Sequence, residues 1–309
     1  MHSARYLLLV LPLLLAACGN SHPPLVEGTL AKAKKDSIYL FDQAGMDYRR
    51  LGAAALKPQG DSATFTLQAQ LPAKGVYFLG YGPGKQQAPE GVMVYLHPAQ
   101  EAPVQLRASA MNLDGTASFP QGTANAELQA MMNRLRQMQG ELQAMQRKAM
   151  IAARYGQPKA DSLQQVVDGL FAKQEQMLQD YASSEYQVVA TTAQMYAYEP
   201  YRAQNQDPEA ARQYFDDNFL SGFRFQDTTI SYLPVYFQKL KAYTGFVLNN
   251  FKLGFEESKE MLGKRVAATP EGSRNRRLAL LAILAGSVNS KGFPQFQDIY
   301  AHFAEQYVN

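Results

Sequence analysis

Few residues of this chain have the types and spacing that catalysis or metal binding requires. The 309 residues include four histidines, and no two of them have a metal-type spacing such as His-x-x-x-His. The carboxylate pairs Asp216-Asp217 and Glu256-Glu257 are sequence neighbours, and neighbours on a helix point about 100° apart. We therefore interpret both pairs as solvated surface rather than as the acid and base of a hydrolase. The sequence predicts no enzyme, no metal and no cofactor.

One glycine-rich segment, residues 80–86, is reminiscent of a phosphate-binding loop. Its spacing does not fit, because Leu79 stands where the first glycine is needed and Gln86 stands where a serine or threonine is needed. We expect a hairpin loop at this position.

The most informative chemistry lies at the N-terminus. An apolar run over residues 6–15 follows Arg5, which is the pattern of a secretory signal peptide. This run is about half the length that a membrane-spanning helix needs. Residues 15–18, Leu-Ala-Ala-Cys, resemble the bacterial lipobox. The resemblance implies cleavage before Cys18, acylation of its thiol and new amine, and a membrane anchor made of acyl chains such as palmitate.

Cys18 is also the only cysteine, so a lipidated chain has no thiol for a disulfide or a redox couple. Gly19 resembles the residue found after the cysteine in lipoproteins sent to the outer membrane, which predicts an outer-membrane protein that faces the periplasm. The 30 basic and 27 acidic residues balance too evenly for a nucleic-acid partner.

The elements that follow divide the chain in two. From Leu25 to about Phe119 the apolar residues alternate or form short runs between turn residues, which predicts strands. The predicted strands cover residues 26–31, 37–42, 63–69, 76–81, 91–97 and 104–108. The fold class is therefore α+β, with a small antiparallel β-sandwich or partly open barrel followed by an all-helical domain.

A long helical hairpin opens the helical domain. Its first helix has an apolar seam with alternating spacings of three and four residues. The seam consists of Leu128, Met131, Leu135, Met138, Leu142, Met145 and Ala149. After a break at residues 155–158, Asp161 is the predicted cap of a second helix. The apolar row of this second helix is Leu163, Val166, Leu170, Met177 and Tyr181. Asp207-Pro208 and Thr269-Pro270 predict two further helix starts.

The order of these features resembles the N-terminal β-domain and helical segment of lipid-anchored thioredoxin-like thiol–disulfide oxidoreductases. The resemblance rests on the lipobox, on Val-Glu-Gly-Thr-Leu at 26–30, on Gly-Val-Tyr-Phe-Leu at 75–79 and on Gly-Thr-Ala-Asn at 122–125. The chain has no Cys-x-x-Cys and no thioredoxin domain before Asn309, so only the family's location and a docking role are implied.

Aromatic residues are dense after residue 195. Tyr196, Tyr198, Tyr201 and Tyr214 form a candidate binding surface, and helix core is the alternative. The predicted function is a non-catalytic, lipid-anchored binding or scaffolding protein with a protein or peptide partner. The alternatives are an accessory docking subunit for a separate thioredoxin-like oxidoreductase and a truncated form of one. The predicted organisation is a signal peptide, a lipidated linker, a β-domain and a helical domain, over residues 1–17, 18–24, 25–122 and 123–309.

Overall fold

A computed structural model describes residues 23–82, 90–198, 207–290, 292 and 295–308. Within these residues the strands are β1 Val26–Ala31, β2 Ser37–Ala44, β3 Asp47–Ala55, β4 Lys57–Gln59, β5 Ser62–Leu67, β6 Gly75–Tyr81, β7 Glu90–Leu96 and β8 Val104–Ser109. The α-helices are α1 Leu113–Thr116, α2 Ala124–Arg154, α3 Ala160–Ala182, α4 Gln187–Tyr196, α5 Pro208–Asn218, α6 Pro234–Asn250, α7 Phe255–Ala267, α8 Arg274–Asn289 and α9 Phe296–Val308. A 3₁₀ helix at Thr228–Tyr232 precedes α6.

The strands form two four-stranded sheets. The first sheet has the order β4-β5-β1-β8 and the second has the order β3-β2-β6-β7. Side chains from both sheets form one apolar core, including Leu30 and Phe65 of the first sheet and Leu40 and Leu79 of the second. The predicted α+β class, with a small sandwich followed by helices, is confirmed.

The prediction of a wholly antiparallel sandwich is wrong at one pair of strands. In the first sheet, β1 pairs antiparallel with β5 on one side and parallel with β8 on the other. Parallel neighbours need a crossover connection, and the segment from β2 to β7, which includes the whole second sheet, supplies it between β1 and β8. Periodicity within a strand carries no information on this pairing.

The sequence interpretation also missed β3 and β4. Along β3 only Ala54 is buried, so this strand lacks the alternation that predicts a strand. β4 is three residues long and fully exposed, and it includes Pro58. A short edge strand with a proline is a common way to block pairing with other chains.

The helical hairpin consists of α2 and α3. Thr123 caps α2 by accepting the Ala126 amide at 3.2 Å. Seam residues such as Leu128, Leu135 and Leu142 are buried, as predicted. The second helix differs in detail: it begins at Ala160, so Asp161 lies inside its first turn and is not the cap.

The row predicted for α3 is wrong at one position. Val166 is 44% exposed and the neighbouring Val167 is buried instead. Consecutive helical residues lie about 100° apart, so Val167 faces the row of Leu163, Leu170 and Met177, and Val166 points to solvent.

The two halves of the hairpin belong to different cores. Leu135 of α2 and Met177 of α3 are part of the main helical core. Leu142, Ala149 and Val167 form a separate small cluster farther along. The hairpin therefore extends beyond the packed body of the protein.

The other predicted helix starts had different outcomes. Asp207 caps α5, with its carboxylate accepting the Glu209 amide at 3.0 Å, as predicted. Thr269 does not begin a helix, because its hydroxyl donates back to the Val266 carbonyl at the end of α7. Ser273 is the cap of α8, four residues later than predicted, and accepts the Arg276 amide at 3.2 Å.

Polar contacts of Asn125 and Arg274 join the sandwich to the helices. The Asn125 side chain pairs with the edge of β7 as a strand would: its oxygen accepts the Tyr95 amide at 2.7 Å and its nitrogen donates to the Tyr95 carbonyl at 3.0 Å. Arg274 of α8 donates two hydrogen bonds, at 2.7 and 2.9 Å, to the carboxylate of Asp42 on β2. Asp42 is 2% exposed, so this ion pair is buried at the joint.

Candidate functional site

A groove of about 700 Å³ lies on the outer face of the first sheet. We call it the sheet groove. Its lining consists of Glu27, Gly28, Thr29, Thr64, Phe65, Thr66, Gln105, Leu106, Arg107, Ser118, Phe119 and Pro120. The sequence interpretation did not predict it.

The strand register determines which side chains face this groove. Glu27 on β1 lies between Thr66 on β5 and Gln105 on β8. Paired residues point to the same face of a sheet, so these three polar side chains form one row across it. On each strand, the next side chain on the same face is two residues farther along. These side chains form a second row.

The second row has Thr29 at its centre. Thr29 lies between Thr64 on β5 and Arg107 on β8. The residues between the rows, Gly28, Phe65 and Leu106, belong to the opposite face, where Phe65 and Leu106 are in the sandwich core. Gly28 has no room for a side chain there, because an added Cβ would collide with the Phe65 ring.

A short segment after α1 forms one wall of the sheet groove. The Arg107 amide donates to the Ser118 carbonyl at 3.0 Å, and the Ser118 amide donates to the Arg107 carbonyl at 2.8 Å. This single antiparallel bridge holds Phe119 and Pro120 beside β8. The groove therefore has a wall of backbone as well as a floor of side chains.

The chemistry of the sheet groove is that of recognition. Three threonine hydroxyls can donate and accept, Arg107 donates, and Glu27 accepts. Gln105 Nε2 donates to Glu27 Oε2 at 3.1 Å, which fixes the middle of the first row. The described lining contains no histidine, cysteine or lysine, so no hydroxyl there has the usual partner of an activated nucleophile.

The candidate aromatic surface is largely packed inside the helical body. Tyr196 ends α4, and its hydroxyl lies 3.3 Å from Gln238 Oε1. Burial raises the pKa of Tyr196 to about 12. Tyr198 packs edge-on against Phe219, with ring centroids 4.9 Å apart. Tyr214 is half-buried on α5, and Tyr201 lies outside the described residues.

The neighbouring rings of the same stretch form core contacts. Phe215 is 2% exposed and stacks on Phe246 at 4.3 Å and on Tyr243 at 5.4 Å. Most of this aromatic density therefore joins α5 to α6, and the described part of it contains no open aromatic groove.

One cation lies against this cluster without a carboxylate partner among the described residues. The Lys239 ammonium is 4.0 Å from the Phe219 ring centre and 5.6 Å from that of Tyr198. Burial lowers the pKa of Lys239 to about 8, since desolvation disfavours its charged form.

Asp217, Glu256 and Glu257 are exposed as predicted, whereas Asp216 is not. Asp216, Asp217 and Glu257 line a second cavity of about 390 Å³ between α5 and α7, whereas Glu256 pairs with Lys259. The interpretation of Asp216 as solvated is wrong: the Tyr243 hydroxyl and the Arg265 guanidinium both donate to its carboxylate. This contact joins α5, α6 and α7, and burial raises the pKa of Tyr243.

The described histidines have ordinary partners. His97 Nδ1 accepts the Ala99 amide at 3.0 Å. His302 packs edge-on against Phe303, with ring centroids 5.0 Å apart, and lies 2.9 Å from the Gln306 side chain. No group of three or more potential ligands is close enough to hold a metal ion within the part of the chain that the structure describes.

Cys18 and the rest of residues 1–22 lie outside the described residues. Among the helices that are described, none combines the length and apolar character needed to cross a bilayer.

Comparison with known proteins adds no family to these observations. No family model, no curated protein and no solved structure matches the chain.

Proposed function

We propose that this protein is a non-catalytic, lipid-anchored protein of the bacterial cell envelope that binds an extended segment of a partner protein in the sheet groove. The observation that carries the proposal is the two polar rows, Thr66-Glu27-Gln105 and Thr64-Thr29-Arg107, on the floor of a cavity of about 700 Å³.

The geometry of the rows suits an extended peptide. Rows two residues apart along a strand are about 6.6 Å apart, which is also the spacing of side chains on one face of an extended chain. Hydroxyl, carboxamide and guanidinium groups can bond to the peptide backbone of a ligand without reading its sequence. Glu27 and Arg107 have opposite charges, so the groove as a whole favours neither an acidic nor a basic ligand.

Lipid attachment at Cys18 is the second part of the proposal. It rests on Leu-Ala-Ala-Cys at residues 15–18, with Gly19 as the support for an outer-membrane protein that faces the periplasm. Acyl chains would keep the sheet groove near the membrane surface.

Photo-crosslinking in living cells tests the binding site. A photoreactive phenylalanine analogue is introduced at Thr66 or at Arg107, both exposed in the sheet groove, and at Gln179, which is exposed on α3. We expect light-dependent adducts from both groove positions and none from the control. The variant Thr64→Trp, which fills the groove, should abolish them. Equal adducts from all three positions, or none from the groove, would refute the proposal.

The identity of the captured partner separates the alternatives. A thioredoxin-like oxidoreductase recovered from the groove positions would make this protein the docking subunit of a redox system. Envelope proteins without thiol chemistry would support an independent binding protein.

The anchor has its own test. Cells are grown with an alkyne analogue of palmitate, and incorporation is measured in the chain and in Cys18→Ala. We expect label in the chain and none in the variant. Equal labelling, or no labelling of the chain, would remove the lipid anchor from the proposal and leave the groove untouched.

A further inference from the structure

The far end of the helical hairpin exposes large apolar side chains. Met150 is 65% exposed, Ile151 is 44% exposed and Tyr155 is 71% exposed. They lie in the last turns of α2 and directly after it, beyond the main helical core. Exposed apolar side chains in one place mark a contact surface more often than a chance feature.

Cations occupy the same face of α2. We define the hairpin tip face as Arg147, Lys148, Met150, Ile151, Arg154 and Tyr155. At 3.6 residues per turn these six residues span an arc of about 160°. The opposite face of α2, which includes Leu142, Ala149 and Ala152, is buried. The tip face therefore points away from α3.

This end of the molecule has an excess of positive charge. Residues 142–160 contain Arg147, Lys148, Arg154 and Lys159 and no acidic residue. The nearest acids in sequence are Glu141 before this stretch and Asp161 after it. None of the four cations forms an ion pair among the described residues. No neighbouring carboxylate among the described residues therefore neutralises the positive charge of these four side chains.

We propose that the hairpin tip face binds an anionic lipid surface. Four cations without an acidic residue among them are complementary in charge to the phosphates of an anionic lipid surface. The apolar side chains enter the boundary with the acyl chains, while Arg and Lys extend toward the phosphates. Around the helix, Arg147 and Arg154 lie between Met150 and Ile151, so basic and apolar side chains reach the same surface together.

A fluorescent probe at the tip tests this inference. The full chain with Cys18→Ser and Met150→Cys, which lacks the acylated residue, is labelled with an environment-sensitive dye and mixed with preformed vesicles. One set of vesicles contains phosphatidylglycerol in phosphatidylcholine and the other contains phosphatidylcholine alone. The control probe is Gln179→Cys, which is exposed near the body end of α3.

We expect a blue shift of the tip probe with the anionic vesicles, no shift with the neutral ones, and loss of the shift at high salt. Each cation near an anionic surface contributes about a fivefold gain in binding. The triple variant Arg147→Glu, Lys148→Glu, Arg154→Glu should therefore weaken the bound state by at least about 100-fold. The control variant Lys34→Glu, Lys35→Glu, Lys57→Glu changes the net charge equally on exposed positions of the sandwich, and it should leave the shift intact.

A second variant tests the apolar part separately. Ile151→Ser with Tyr155→Ser keeps every charge and alters only exposed positions, so folding is preserved and the blue shift should be lost. Equal spectra in anionic and neutral vesicles would overturn the proposal. A shift produced by envelope proteins and not by lipid would also overturn it, in favour of a protein partner for the tip.

Discussion

The two ends of helix α2 have the same sequence pattern and different surroundings. Leu135 and Leu142 belong to one seam of alternating three and four spacing, seven residues apart. Leu135 lies in the main helical core with residues of several helices, whereas Leu142 lies in a small cluster formed by α2 and α3. A periodic pattern shows which face of a helix is covered. It does not show how many layers cover that face.

The difference has consequences for stability and function. Segments with few buried apolar contacts open at low free-energy cost, and binding elements are often drawn from them. The distal half of the hairpin has this character, and it carries the exposed tip face. The following predictions test the contrast between the packed body and the distal hairpin, beginning with the largest expected effect.

The largest effect is expected at the joint between the sandwich and α8. Arg274→Met removes the guanidinium that pairs with the buried carboxylate of Asp42 and leaves Arg49, which is 62% exposed, as its remaining cation. Breaking a buried ion pair typically costs about 3–5 kcal/mol. We expect the free energy of unfolding in urea to fall by about this amount.

The matched control is Arg277→Met. Arg277 is exposed on the same helix and has no ion pair among the described residues. Its substitution should change the free energy of unfolding by less than about 0.5 kcal/mol. A loss for Arg274→Met as small as that for Arg277→Met would show that the joint is not a stabilising contact.

The next effect concerns the body end of the hairpin. Leu135 is 1% exposed, so Leu135→Ala removes buried apolar volume from the main core. Substitutions of this kind cost about 2–5 kcal/mol. The midpoint of urea unfolding should fall accordingly, with the slope of the transition unchanged. A loss below about 1 kcal/mol would mean that this end of α2 is not part of the cooperative core.

A pH effect of intermediate size is expected at Lys239. The pKa of Lys239 is about 8 in the folded protein, and an unfolded lysine has a pKa of about 10.4. Between these values the unfolded chain binds the extra proton, so the free energy of unfolding rises with pH over this window. The increase in the free energy of unfolding should be measured below pH about 10, because unfolded tyrosines begin to ionise near that pH.

Lys239→Met isolates this contribution. It keeps an unbranched apolar side chain and removes the ammonium over the Phe219 ring, so the rise between pH about 8 and about 10 should disappear. At pH about 7 the variant should be more stable by about 1 kcal/mol, because Lys239 is partly exposed and its desolvation is incomplete. An unchanged pH profile in the variant would assign the rise to another group.

The sequence predicted those parts of the fold that depend on local pattern. The strand at Val26–Ala31 and the seam of α2 have clear periods, and the structure confirms both. β3 could not be predicted, because it is an edge strand whose Arg49, Arg50 and Ala53 side chains are exposed, and exposure removes the alternation.

The sites depend on contacts between distant residues, which one sequence does not contain. The sheet groove exists because Glu27 and Thr29 on β1 have Gln105 and Arg107 as parallel neighbours, and this register follows from the whole sandwich. The ion pair of Arg274 with Asp42 joins residues 232 positions apart. Exposed Met150 and Ile151 were not predicted as a surface, since sequence alone does not show that the hairpin extends beyond the body.

Leu142→Ala is expected to have the smallest effect on global stability. It is also the sharpest test of the contrast between the packed body and the distal hairpin. It is the same substitution on the same helix as Leu135→Ala, two turns farther from the body. Because Leu142 packs only in the small distal cluster among the described residues, its loss should lower the free energy of global unfolding by less than about 1 kcal/mol. Amide hydrogen exchange over residues 140–170 should accelerate strongly, while exchange in α6 and α8 stays unchanged. Equal destabilisation by the two substitutions would show that the hairpin unfolds as one unit with the body, and the distal half would then be a rigid arm rather than a locally opening one.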